Sequence, residues 1–77
     1  MAHNRNMNDK KSKNFRRLAR LRGNRAVNDI RLIGNLANKN NYVYSDSEVN
    51  SLFSAIEQEL RIAKTNFQRY KKREVNL

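Results

Sequence analysis

The sequence predicts an all-α protein, an antiparallel two-helix hairpin preceded by a basic tail. Three observations predict it. The 77 residues contain no proline and only two glycines. Apolar residues recur in steps of three and four through both halves. A polar segment rich in Asn and Tyr separates the two patterned stretches.

Residues 1–11 are polar and basic, with no apolar periodicity, and are expected to form a flexible tail. The domain proper is then 12–77. A first helix over 12–37 follows from the stripe Phe15, Leu18, Ala19, Arg22, Ala26, Ile30, Ile33 and Ala37, widened by Leu21, Leu32 and Leu36. Gly23-Asn24 interrupts its middle. A glycine inside a helix costs about 1 kcal/mol relative to alanine, and Asn24 could cap a second piece. The helix is therefore continuous, kinked or broken at Gly23. Gly34 is expected to admit the close approach of another backbone.

The connection is Asn38-Lys39-Asn40-Asn41-Tyr42-Val43-Tyr44, seven residues, a usual span between neighbouring helices. Asn tolerates the left-handed conformation, so Asn38 or Asn40 is expected to end the first helix. Tyr42 and Tyr44 are expected to fold over the end of the hairpin. Their functional alternative is a stacking platform for bases.

The second helix, 46–72, has the clearer signals. Val49, Leu52, Phe53, Ile56, Leu60, Ala63, Phe67 and Tyr70 form one stripe. Ser45 and Glu48 are spaced as a capping box, and Tyr44 and Val49 as a hydrophobic staple. Asp46 and Glu48 place negative charge at the positive end of the helix dipole. Lys71, Lys72 and Arg73 place positive charge near the other end.

Composition excludes several function classes. There is no Cys, hence no disulfide framework and no thiolate metal site. His3 is the single histidine, and the five serines have no other side chain to serve as a base. Glu57 and Glu59 are two residues apart and diverge on a helix, which defeats paired-carboxylate chemistry. A chain this short does not enclose a deep substrate cavity. An enzyme, a cofactor and a small-molecule substrate are therefore not expected. No apolar run approaches the roughly 20 residues of a membrane span, and residues 1–11 lack the apolar core of a secretory signal. A cytoplasmic location is expected, without a membrane.

Charge is the informative feature. Lys and Arg number 17 against 7 Asp and Glu, a formal net charge of +10. Residues 1–26 hold nine cations and Asp9, for +8; residues 27–60 net −3; residues 61–77 net +5. In an antiparallel hairpin the two basic segments meet at the open end. Such concentrated charge is expected where a polyanion neutralises it. The candidate nucleic-acid-binding residues are Lys10, Lys11, Lys13, Arg16, Arg17, Arg20, Arg22 and Arg25 from the first segment. Lys64, Arg69, Lys71, Lys72 and Arg73 join them from the second. Arg suits bidentate phosphate contacts and guanine edges, and Arg-rich segments fold onto structured RNA. The plain alternative is a solvated basic face. A membrane-surface helix fits less well, because the bulky apolar face with Trp is missing.

The stretch Ile30 to Ser45 resembles a motif in small, poorly characterised bacterial proteins, R-L-I-G-N-L-[AS]-N-x-x-N-Y-x-Y-[ST] followed by an amphipathic helix. The resemblance spans about 13–68 and implies a bacterial, phage or plasmid origin; it brings no activity with it.

Two functions are consistent with these patterns. One is a small basic accessory protein that binds nucleic acid, RNA in preference to DNA. The other is a phage- or plasmid-type regulator or inhibitor that docks on a protein or ribonucleoprotein complex, such as a ribosome or an RNA-guided nuclease. A pair of helices leaves its stripes half exposed, so a homodimer or a larger ribonucleoprotein partner is expected. Phe53, Ile56, Leu60 and Phe67 are the candidate interface.

Overall fold

The computed structural model describes the backbone of residues 2–71 and the side chains of residues 8–71. The chain is all-α, with two helices and no strand among the described residues. Helix α1 spans Ala2–Gly34, a short 3-10 helix follows over Asn35–Ala37, and helix α2 spans Asp46–Arg69. The chain forms two units that divide between Tyr42 and Val43, the first holding α1 and the second α2.

Helix α1 differs from expectation at its start, and at Gly23 it takes the continuous form among the three left open. It begins upstream of Ser12, so residues 8–11, assigned to the tail, continue the helix. The run Asp9-Lys10-Lys11-Ser12-Lys13 contains no helix breaker, and Lys is a good helix former. Nor does α1 break at Gly23, which lies inside it. A Cβ built on Gly23 meets nothing within 4 Å. The favourable propensities of the flanking Leu and Arg residues offset the local cost of that glycine. Gly34 does not mark a close backbone approach either: a Cβ there also finds open space.

The end of the first unit is built by Asn38. The expected left-handed terminus is absent, since no described residue has a positive φ. Asn38 is instead extended, at φ −69° and ψ 104°. Its side-chain oxygen accepts a hydrogen bond from the Asn40 backbone N–H at 3.0 Å. Its backbone carbonyl accepts from the N–H groups of Asn41 and Tyr42, both at 3.1 Å. One asparagine thus satisfies three donors and turns the chain without a left-handed residue.

Helix α2 starts as its sequence demands. Ser45 is the N-cap, at φ −105° and ψ 160°. Its hydroxyl accepts from the Glu48 N–H, and the Glu48 side chain reaches back to the Ser45 N–H. Asp46 and Glu48 occupy the first turn and Arg69 the last, which complements the helix dipole at both ends. The Lys71 N–H donates to the Gln68 carbonyl at 3.1 Å as the helix closes. Helical geometry ends at Arg69 and not at Lys72, which lies outside the described residues.

No described residue is buried. Five are half-buried: Leu18, Ile33, Tyr44, Val49 and Ile56. Tyr44 and Val49 are the two positions of the staple, and their partial cover fits that role. The large apolar side chains otherwise stand in solvent, among them Leu60 at 53% and Phe67 at 67% exposure.

Candidate nucleic-acid interface

Because α1 is unbroken through Gly23, helical phase decides which of its cations act together. Successive residues advance by about 100° around the axis. On that scale Lys10, Lys13, Arg16, Arg17 and Arg20 lie within about 120° of arc. The apolar stripe of Phe15, Ala26 and Ile33 lies on the opposite side. From Lys10 to Arg20 the basic face extends about 15 Å along the axis, at 1.5 Å per residue. Every one of these side chains is exposed.

Three of the candidate cations sit elsewhere. Lys11, Arg22 and Arg25 fall on the side of Phe15, Leu18 and Ala26. Their long stems can lie along apolar surface while the charged heads stay in water. They belong to the same charge cluster in sequence but not to the same face.

Two residues outside the candidate set join the basic face. Arg31 follows Lys13 by eighteen positions, about five whole turns, and shares its direction. Asn24 lies on the same line, four residues after Arg20. Both were missed because charge was counted by segment; the helical phase of Lys13, Arg17, Arg20, Asn24 and Arg31 is the signal that finds them.

The local chemistry of this face is simple. Arg16 Nη1 donates to Ser12 Oγ at 2.8 Å, one turn back, which draws its guanidinium along the helix. Lys10, Lys13, Arg17, Arg20 and Arg31 make no ion pair with a carboxylate among the described residues. Their charge is therefore not neutralised by the helix that carries it. Arg presents a planar fork that matches two phosphate oxygens, and with Arg16 four cations of this face are Arg.

The second basic segment is partly described. On α2, Lys64 and Arg69 are exposed and point in directions about 140° apart, and Lys71 follows the helix end. Lys72 and Arg73 lie outside the described residues. Tyr42 is exposed, at 46%. Tyr44 is half-buried beside the cap and is engaged in the structure. Phe53, Leu60 and Phe67 are exposed and Ile56 half-buried along the α2 stripe.

Among the described residues no group of His, Asp or Glu is placed to hold a metal ion. Among the described residues no helix is long and apolar enough to cross a membrane. The chain matches no protein-family model, no curated protein and no solved structure.

Proposed function

We propose that this protein binds nucleic acid through the basic face of α1, with structured RNA preferred over duplex DNA. One observation carries the reading: Lys10, Lys13, Arg16, Arg17 and Arg20 share one exposed face of a continuous helix. A rigid row of cations releases counterions from a polyanion without first ordering a flexible segment. Phosphate neutralisation is the main role of these residues. One or two arginines read guanine edges in this proposal, because the same fork fits O6 and N7. The preference for RNA rests on the Arg-rich composition of the segment, which suits the irregular grooves and loops of folded RNA. Lys64, Arg69, Lys71, Lys72 and Arg73 supply a second basic segment to the same polyanion. The protein acts as an accessory to a larger assembly in the cytoplasm, with no catalytic step of its own.

The exposed α2 stripe favours a second reading, a phage- or plasmid-type regulator that docks on a protein or ribonucleoprotein complex. Purification without nuclease and without a high-salt wash separates the two. Nucleic acid that co-purifies and is released by salt supports the first. Protein free of nucleic acid, together with no retention of a folded RNA at low salt, supports the second.

A further inference from the structure

The α2 stripe has an order beyond amphipathicity. Val49, Phe53, Ile56, Leu60, Ala63, Phe67 and Tyr70 follow one another in steps of four and three, alternating without exception. That is a period of 3.5, the spacing that keeps a seam facing one partner helix along its whole length. Phe53 is 39% exposed, Leu60 53% and Phe67 67%, so the seam is open in the single chain.

The charges on the two halves of α2 bear on what covers the seam. Residues 46–59 carry Asp46, Glu48, Glu57 and Glu59 and no cation, a net of −4. Residues 60–71 carry Arg61, Lys64, Arg69 and Lys71 and no anion, a net of +4. A neighbour running the opposite way with the same sequence sets Glu57 and Glu59 of each helix beside the basic half of the other. Helix α1 does not: in an antiparallel hairpin its basic first half falls beside the basic half of α2. A second α2 in parallel is also disfavoured, since it sets −4 beside −4 and +4 beside +4. Packed helices lie 8–10 Å apart, about one Debye length at physiological salt, so these charges are felt across the pair.

We propose that α2 pairs antiparallel with α2 of a second copy of this chain. The register follows from the seam. Phe53 meets the partner's Tyr70, Ile56 meets the partner's Phe67, and Leu60 meets the partner's Ala63, each layer occurring twice. Large residues face smaller ones at the centre, where a parallel pair would set Ala63 against the partner's Ala63 between bulky layers and leave a void. In this register Glu57 stands opposite the partner's Lys64, again twice, and Asn50 opposite the partner's Lys71. Glu59 meets the partner's Asn66, so no like charges face each other beside the seam. The face of α2 away from the seam carries Ser47, Ser51, Ser54, Gln58 and Thr65 together with Arg61 and Arg69, polar and suited to water. A dimer of this kind carries two copies of the α1 basic face, and so engages a polyanion twice.

Sedimentation equilibrium on the full chain, stripped of nucleic acid, tests the pairing and its register independently of any nucleic-acid affinity. The wild type is expected to be dimeric at micromolar concentration. Lys64→Glu is expected to weaken the dimer about tenfold at low salt, because two attractions become two repulsions. Adding Glu57→Lys to that variant is expected to restore it. Circular dichroism on each variant at high concentration establishes that helix is retained. A helical monomer throughout the micromolar range overturns the proposal. Unchanged affinity in Lys64→Glu overturns it too. Restoration by Glu59→Lys in place of Glu57→Lys would show the parallel pair and overturn the antiparallel one.

Discussion

Ser45 and Glu48 satisfy each other's backbone at the start of α2. The Ser45 N–H donates to Glu48 Oε1 at 2.8 Å, and the Glu48 N–H donates to Ser45 Oγ at 3.1 Å. The two hydroxyl and carboxylate groups also touch, Ser45 Oγ donating to Glu48 Oε1 at 3.1 Å. With no buried residue among those described, this local device carries more of the helix's stability than it would in a protein with a large core.

Ser45→Ala removes the acceptor and leaves the Glu48 N–H to water. The cost is about 0.5–2 kcal/mol, read as a lower midpoint in urea or heat. Glu48→Gln keeps an oxygen in place for the Ser45 N–H and is expected to lose less than Glu48→Ala.

Gly23→Ala is expected to act in the other direction. Gly23 lies inside α1 and a methyl group there meets nothing within 4 Å. The substitution stabilises the helix by about 0.5–1 kcal/mol, visible as higher ellipticity at 222 nm and a higher midpoint.

The elements differ in how plainly the sequence announces them, and the reason is range. The capping box, the staple and the stripe of α2 are set by residues within a few positions of one another, so the sequence states them directly. The sequence places the end of the first helical stretch at Asn38 but not its conformation, because two properties of one residue compete. Its tolerance of left-handed backbone suggested one terminus, while its side-chain oxygen, bonded to the Asn40 N–H, builds another. Gly23 left the helix continuous, kinked or broken in the sequence, and the strong helix formers around it keep it continuous. Residues 8–11 looked like tail because no apolar residue marks them, yet nothing in them stops a helix. For the candidate interface, composition supplied the cluster and helical phase divided it, setting Arg31 with Lys13 and Arg22 with Phe15.

That division makes the effect of charge removal depend on face. Arg17→Ala is expected to weaken RNA binding several-fold at low salt, because Arg17 stands in the row with Lys13 and Arg20. Arg22→Ala and Arg25→Ala, equal to it in net charge, are expected to change affinity much less. Equal losses in all three would mean that net charge alone governs binding.

The two tyrosines of the connection are expected to separate in the same way. Tyr44→Ala removes the staple residue at the N′ position and lowers the midpoint of α2 unfolding. Tyr42→Ala leaves that midpoint unchanged. If Tyr42 stacks on a base, its removal costs about 1–3 kcal/mol of binding and nothing in stability. Paired measurements of unfolding and RNA affinity on both variants check this.

The central claim, that the basic face of α1 is a phosphate-binding surface, is tested most directly by filter binding of a folded RNA across a salt series. Six phosphate contacts, from Lys10, Lys13, Arg16, Arg17, Arg20 and Arg31, give a slope of log K against log salt of roughly −4, at about −0.7 per contact on a single strand. In Arg16→Ala with Arg20→Ala the slope is expected to flatten to about −3 as affinity falls at every salt concentration. An affinity independent of salt, or a slope unmoved by the double substitution, would contradict the account.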